Sequence, residues 1–151
     1  VVESKHSLAA WLDWCNDSYD LDDAANWITE STLPTTLDHS RNFGIFLRVG
    51  SPALVGCAGL SAIDPKASVA NLGYWIRTSM QRRGFAKEAA ISIARYGHAV
   101  LGLDRVEIAV HPQNLRSECV ARAIGAKDEG IVPSRIQFRG ERVPARVFCL
   151  R

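Results

Sequence analysis

Apolar positions along the chain change their period several times, and each change marks an element. Residues 4–12 carry Leu8, Trp11 and Leu12, a three- and four-residue stripe that predicts a helix with Ser4 as its cap. Asp20 or Asp22 is placed to cap a second helix presenting Ala24, Trp27 and Ile28. Residues 43–49 and 54–63 read as a strand hairpin joined by Gly50-Ser51-Pro52, and Asp64-Pro65-Lys66 turns into a third strand, Val69–Ile76. From Gly84 the period returns to that of a helix. Ala86, Ala89, Ala90, Ile93, Ala94, Gly97 and Leu101 fall on one face, small enough to lie close on a sheet, with Gly102 as the stop. Residues 105–110 form a short apolar strand interrupted by Glu107. His111-Pro112-Gln113-Asn114 then turns into a helix over residues 115–124, ended by Gly125. Residues 126–138 and 143–150 close the chain as a long hairpin around Arg139-Gly140-Glu141.

Strand, helix and strand in succession require a parallel pair joined by a right-handed crossover. The fold class expected is therefore α/β with a mixed sheet: an antiparallel meander leading into a central parallel pair flanked by helices. No repeat, linker or low-complexity segment divides the 151 residues, so a single domain over 1–151 is expected.

The chemistry concentrates where Val69–Ile76 gives way to the helix after Gly84. A helix start leaves backbone NH groups unpaired and favours negative charge, so this junction suits an anion. Gly84 permits close approach of a ligand, and Arg82, Arg83 and Lys87 add positive charge. The pattern alone fits a solvated structural junction as well as a phosphate cradle. Neither G-x-x-x-x-G-K-[ST] nor G-x-G-x-x-G occurs, which argues against nucleotide hydrolysis and dinucleotide binding.

Composition narrows the partners. With 47% hydrophobic and 23% charged residues and a net charge of +2, the chain reads as an ordinary globular domain, with no charge excess that implies nucleic acid. No apolar run approaches the ~20 residues of a membrane span and no leader pattern opens the chain, so a cytoplasmic protein without a membrane partner is expected. Cys15, Cys57, Cys119 and Cys149 lack ligand spacing and read as buried thiols in a reducing compartment, with no metal expected. Trp11, Trp14 and Trp27 suggest an apolar lid, although tryptophans on amphipathic helices more often belong to the core.

Gln81-Arg82-Arg83-Gly84-Phe85-Ala86 resembles the Q/R-x-x-G-x-G/A signature of the GNAT acetyltransferases. The preceding GYWIR and the N-x-x-S formed by Asn114 and Ser117 are similar to the Rim-type, ribosomal-protein N-terminal acetyltransferase branch, a resemblance running from about residue 4 to the end. It implies a GNAT fold, with the family's first strand lacking here. It also implies acetyl-CoA as cosubstrate, its pyrophosphate on the amides of residues 81–87 and its pantetheine arm along Trp75 and Ile76, hydrogen-bonded by Asn114. The thioester would lie where the parallel strands part, beyond Val110. Ser117 is the candidate acid toward the departing thiolate, though a serine in a first helical turn is equally an ordinary structural residue.

Two departures from the family pattern stand out. A glutamate often found two residues before the strand glycine is Asn71 here, and a helix tyrosine often used as acid is Ala121. Glu107 and His111 remain as weak base candidates, each with a bland alternative as an ion-paired strand residue or a loop histidine. The expected activity is acetyl transfer by direct attack of a primary amine, with a protein N-terminal α-amine as first choice. A small-molecule amine acetyltransferase and a non-catalytic CoA-binding sensor or scaffold are the alternatives, and both monomer and homodimer stay open.

Overall fold

The computed structural model describes every residue of the chain except Val49 and Ser51. Its elements are α1 (Lys5–Ala9), α2 (Leu21–Ser31), α3 (Pro34–Leu37), β1 (Arg41–Phe46), β2 (Leu54–Asp64), β3 (Val69–Ile76), α4 (Phe85–Ala99), β4 (Arg105–Val110), α5 (Leu115–Ala123), β5 (Lys127–Phe138) and β6 (Glu141–Leu150). Short 3₁₀ turns at Val2–Ser4 and Thr78–Met80 complete them.

The six strands form one sheet in the order β1-β2-β3-β4-β6-β5. β1, β2 and β3 make the antiparallel meander that their alternating apolar positions predict. β3 and β4 are the parallel pair, connected through α4, and the β5–β6 hairpin turns back so that β6 lies against β4. The hairpin turn uses left-handed Arg139 (φ 51°) and Gly140 (φ 81°), the backbone that a two-residue connection between twisted strands favours.

Parallel pairing covers only Val69–Arg105, Ala70–Val106 and Asn71–Glu107. The strands therefore part from Ile108 onward, earlier than the expected opening beyond Val110. At the fork the Asn71 Oδ1 accepts a hydrogen bond from the Ala109 amide at 3.2 Å, replacing the ladder bond that the divergence removes.

α4 covers the sheet with Ala90, Ile93, Ala94 and Gly97 buried, the small-residue face expected from the sequence. A β-carbon at Gly97 would come within 3.1 Å of Val106 Cγ2 and 3.2 Å of Leu60 Cδ1, so glycine lets the helix lie close at this point. Beneath it Leu60, Leu72, Val106 and Phe148 form the centre of the core, all at most 1% exposed. Each such side chain contributes about 1.5–3 kcal/mol by leaving water. The core thus clamps β3, β4 and α4, the three elements whose ends frame the fork.

The amino-terminal segment departs from its pattern. α1 stops at Ala9, so Trp11 and Leu12 lie past its end, and Ser4 makes no side-chain cap. The Ser4 hydroxyl is buried and accepts instead from the Thr78 amide at 2.8 Å, a tertiary partner that outcompetes the local one. Asp20 does cap α2, in a reciprocal box with Asp23, while Asp22 only donates its amide to Asp20. The core assignment of the tryptophans fails. Trp14 and Trp27 are 43% and 44% exposed and α2 buries no residue at all. β1 runs over Arg41–Phe46 instead of 43–49, because Leu47 already bonds to Ala53 across the hairpin; Val49 and Ser51 of that expectation lie outside the described residues.

Candidate active site

The start of α4 is electrostatically open. Its N-cap is Gly84, no side chain caps it, and the first backbone bond of the helix is that of Glu88 to the Gly84 carbonyl. The amides of Phe85, Ala86 and Lys87 therefore have no helical partner, and the helix dipole adds to them. Arg82 (φ 61°) and Gly84 (φ 86°) are both left-handed, a backbone found in anion-binding turns. A β-carbon on Gly84 would meet nothing within 4 Å, so the space in front of the turn is free. Arg82 and Lys87 line that space.

From this turn a cleft of about 490 Å³ runs between the end of β3 and the first turns of α5. One wall is Tyr74, Trp75 and Ile76; the other is Asn114, Arg116, Ser117 and Cys119. Arg116 donates to the Gln81 Oε1 at 3.2 Å across the mouth, and Gln81 in turn donates to the Ile76 carbonyl at 3.1 Å. Asn114 caps α5 by accepting from the Ser117 amide at 3.2 Å, which fixes where Ser117 stands. The Ser117 Oγ is 3.0 Å from the Tyr74 hydroxyl, which is also 3.1 Å from the Ser117 carbonyl. Burial pushes the Tyr74 phenol above its usual pKa, partly offset by the bond to Ser117, so it stays protonated through the neutral range. Among the described residues, no carboxylate and no histidine lines this cleft.

Ser7, Leu8, Trp11 and Leu12 form the third side. They are held by contacts to the loop that feeds the α4 turn. Glu3 accepts from the Arg77 guanidinium at 2.5 Å and from the Ser79 hydroxyl at 2.8 Å, and Ser7 shares a 3.0 Å hydrogen bond with Thr78. Hydrogen bonds from Arg77 and Ser79 lower the Glu3 carboxyl from 4.5 to about 2.

Residues 2–127 match the family model of the acetyltransferase (GNAT) domain. The chain belongs to the GNAT acetyltransferase family. Among solved structures it is similar to a "putative ribosomal-protein-serine acetyltransferase" from Vibrio cholerae, with 28% identity and a TM-score of 0.80 over 99% of this chain and 89% of that one. RimL, described as a ribosomal L7/L12 alpha-N-protein acetyltransferase in complex with coenzyme A, shares the fold at a TM-score of 0.82 and 21% identity, covering 99% and 82%. The first of these neighbours supports the Rim-type branch of GNAT, and RimL the fold. The "Uncharacterized N-acetyltransferase p20" of Bacillus licheniformis is 28% identical over 97 residues, 64% of this chain and 54% of its own length. The chain thus spans about half the length of curated relatives such as this one.

Within this GNAT fold most residues singled out from the sequence come together: Trp75, Ile76, Gln81, Arg82, Gly84, Phe85, Ala86, Lys87, Asn114 and Ser117 all line one cleft. Arg83, Glu107 and His111 do not line it. Glu107 accepts from Arg105 at 2.7 Å and from Arg135 at 2.6 Å. Burial works against its charge, but these two arginines prevail and hold its carboxyl below the usual range. A carboxylate so held is a poor base. His111 is packed between Trp11 and Phe138, with ring centroids 5.5 and 5.0 Å away, and its Nδ1 accepts from the Gln113 amide at 3.2 Å. Ala121, where the family often has its helix tyrosine, is sealed in the core.

Sequence reasoning missed Tyr74, whose aromatic ring reads as an ordinary strand residue; only its place in the GYWIR run, opposite the N-x-x-S turn, pointed to it. Cys119, expected to be buried like the other three cysteines, is instead exposed on the cleft wall, because it lies on the open side of α5; Cys15, Cys57 and Cys149 are buried as expected.

Proposed function

We propose that the chain is an acetyl-CoA-dependent N-acetyltransferase whose acceptor is a protein N-terminal α-amine. The uncapped turn at Gly84, open in front and flanked by Arg82 and Lys87, fits a pyrophosphate. The narrow cleft past Trp75 and Ile76 fits an extended arm ending near Ser117. Acetyl-CoA would supply an activated acyl group there. The protein's part is to bind and orient it, and to present the Ser117 hydroxyl where the sulfur departs.

The observation that carries the choice of acceptor is the lack of any carboxylate or histidine on the cleft wall among the described residues. Asn71 stands at the fork with its amide committed to Ala109, and Glu107 is held by two arginines. Without a strong base, the enzyme depends on an amine that is neutral by itself. An α-amine, with a pKa of about 7.7–8.0, costs only about 1 kcal/mol to hold neutral at pH 7, whereas a lysine amine at about 10.4 costs roughly 4.6 kcal/mol.

The test compares kcat/KM for a Ser- or Ala-starting peptide with that for its N-terminally blocked, lysine-containing counterpart between pH 6 and 9. We expect the free α-amine to be favoured by roughly 100-fold or more near pH 7, with the gap closing as pH rises. Faster lysine acetylation near pH 7 would overturn the acceptor assignment. The same bare cleft favours one other reading, a CoA-binding domain without turnover. Tight CoA binding with no acetyl mass shift on peptides, polyamines or aminoglycosides would select it.

A further inference from the structure

Tyr74 has no role in the reading above, yet its hydroxyl is the one side-chain group within hydrogen-bond distance of the Ser117 Oγ among the described residues. Two arrangements of the pair are available. If the phenol donates to the Ser117 carbonyl at 3.1 Å, the shared 3.0 Å contact must use the serine proton, which then points away from the cleft. If the phenol donates to the Oγ, the serine proton is released into the cleft. The carbonyl lies in the first turn of α5, where the helical pattern already gives it the amide of residue 121, so it does not need the phenol. A negatively charged atom in the cleft selects the second arrangement.

We propose that Tyr74 is a positioning residue that turns the Ser117 hydroxyl toward the departing sulfur, so that the two together form a hydrogen-bonding hole for a thiolate. The proposal rests on acetyl-CoA being the donor. In the transfer the N–C bond forms and the C–S bond breaks with its electron pair left on sulfur. The acceptor nitrogen loses its proton to water, and the sulfur later gains one from water. Ser117 keeps its own proton, for a physical reason. An aliphatic hydroxyl is about as weak an acid as water, far weaker than a thiol with its pKa near ~8.5, and cannot give its proton for good to the thiolate. What it can give is a directed hydrogen bond, which to a charged acceptor is roughly twice as strong as to a neutral one. Such a bond acts where charge develops and asks for no rearrangement of solvent.

The hole also acts on the ground state of bound CoA, which allows a test without any acceptor. The pKa of the CoA thiol is titrated in the binary complex by the ultraviolet absorbance of its thiolate. Arg82, Lys87 and Arg116 also lower this pKa, but they are common to every variant compared. We expect it to lie below the free value in the wild type. Ser117→Ala should raise it by about 1 to 2 units, the worth of a hydrogen bond to a charged group. Tyr74→Phe, which keeps the buried ring, should raise it by about 1 unit, and the double variant no further than Ser117→Ala alone. Ser117→Thr should retain the lowered value. The affinity for the protonated thiol, measured at pH 6, should change less than ~3-fold in all of them, because the hole is selective for the charged form. Bound thiol pKa values equal in the wild type and Tyr74→Phe, with CoA bound, would overturn the thiolate hole alone. Failure of the wild type to bind CoA would overturn the donor assignment and the hole with it.

Discussion

α2 and α4 carry comparable amphipathic patterns, yet one is covered and the other is not. α4 buries Ala90, Ile93, Ala94 and Gly97 against β2, β3 and β4. α2 buries nothing: Leu21 is 81% exposed, Ile28 60% and Trp27 44%, and its main neighbour is the single turn of α3. Periodicity therefore records that a helix has an apolar face, and says nothing of what lies against it. The difference follows from connectivity. α4 links two strands that pair with each other, so its face must fall on the sheet, whereas α2 precedes the edge strand β1 and no pairing constrains where it lands.

Two substitutions measure this contrast. Leu60, fully buried under α4, should cost about 2–5 kcal/mol when changed to alanine, from lost transfer energy and the cavity left behind. Ile28→Ala should stay within about 0.5 kcal/mol, as exposed positions do. Urea unfolding of both variants checks it. A cost above ~2 kcal/mol at Ile28 would break the comparison, since it requires the apolar face of α2 to be covered in solution.

A narrower contrast separates two glycines with the same backbone. Gly84 (φ 86°) and Gly102 (φ 66°) are both left-handed and both face open space, one at the start and one just after the end of α4. Glutamate at either site meets the same local strain, of order 1 kcal/mol. Only Gly84→Glu puts bulk and negative charge before the free amides. Calorimetry with acetyl-CoA should show at least a ~100-fold loss for Gly84→Glu, about 2.7 kcal/mol, and little change for Gly102→Glu. Equal affinities in folded variants would remove the junction from the site.

The regions differ in legibility as well. β3 and β4 match their sequence expectation to the residue, and the body of α4 and α5 does so within the fraying of helix ends. There, local pattern, turn chemistry and tertiary burial agree. At the amino terminus they conflict. Ser4 is positioned to cap α1 but is taken by Thr78, 74 residues away, and no local pattern carries that information. Glu107 and His111 fail as cleft residues for a similar reason. Arg135 and Phe138 come from the last hairpin, and they claim the carboxylate and the imidazole from a distance that spacing does not reveal. Residues 81–87, by contrast, present their own backbone amides at an uncapped helix start, so a short stretch of sequence suffices to read that turn.

The smallest effect tests how the two regions are tied. Glu3 joins the amino-terminal segment to the loop before the Gly84 turn, accepting from Arg77 and from both the amide and the hydroxyl of Ser79. These bonds hold its carboxyl at about 2, against about 4.5 for the unstructured chain. A group depressed on folding contributes stability that is complete above the unfolded pKa and is lost as pH falls through the folded one. Glu3→Gln removes the charge but keeps the shape, so its Tm should sit slightly below that of the wild type at pH 6. The difference should begin to shrink below about pH 4.5 and be gone near about pH 2, where wild-type Glu3 is itself protonated. Because the pair is partly open to solvent, it should also weaken in salt. Equal Tm values for Glu3→Gln and the wild type at pH 6 would mean that shape, not charge, fastens the segment, and would shift attention to the buried bond from Thr78 to Ser4.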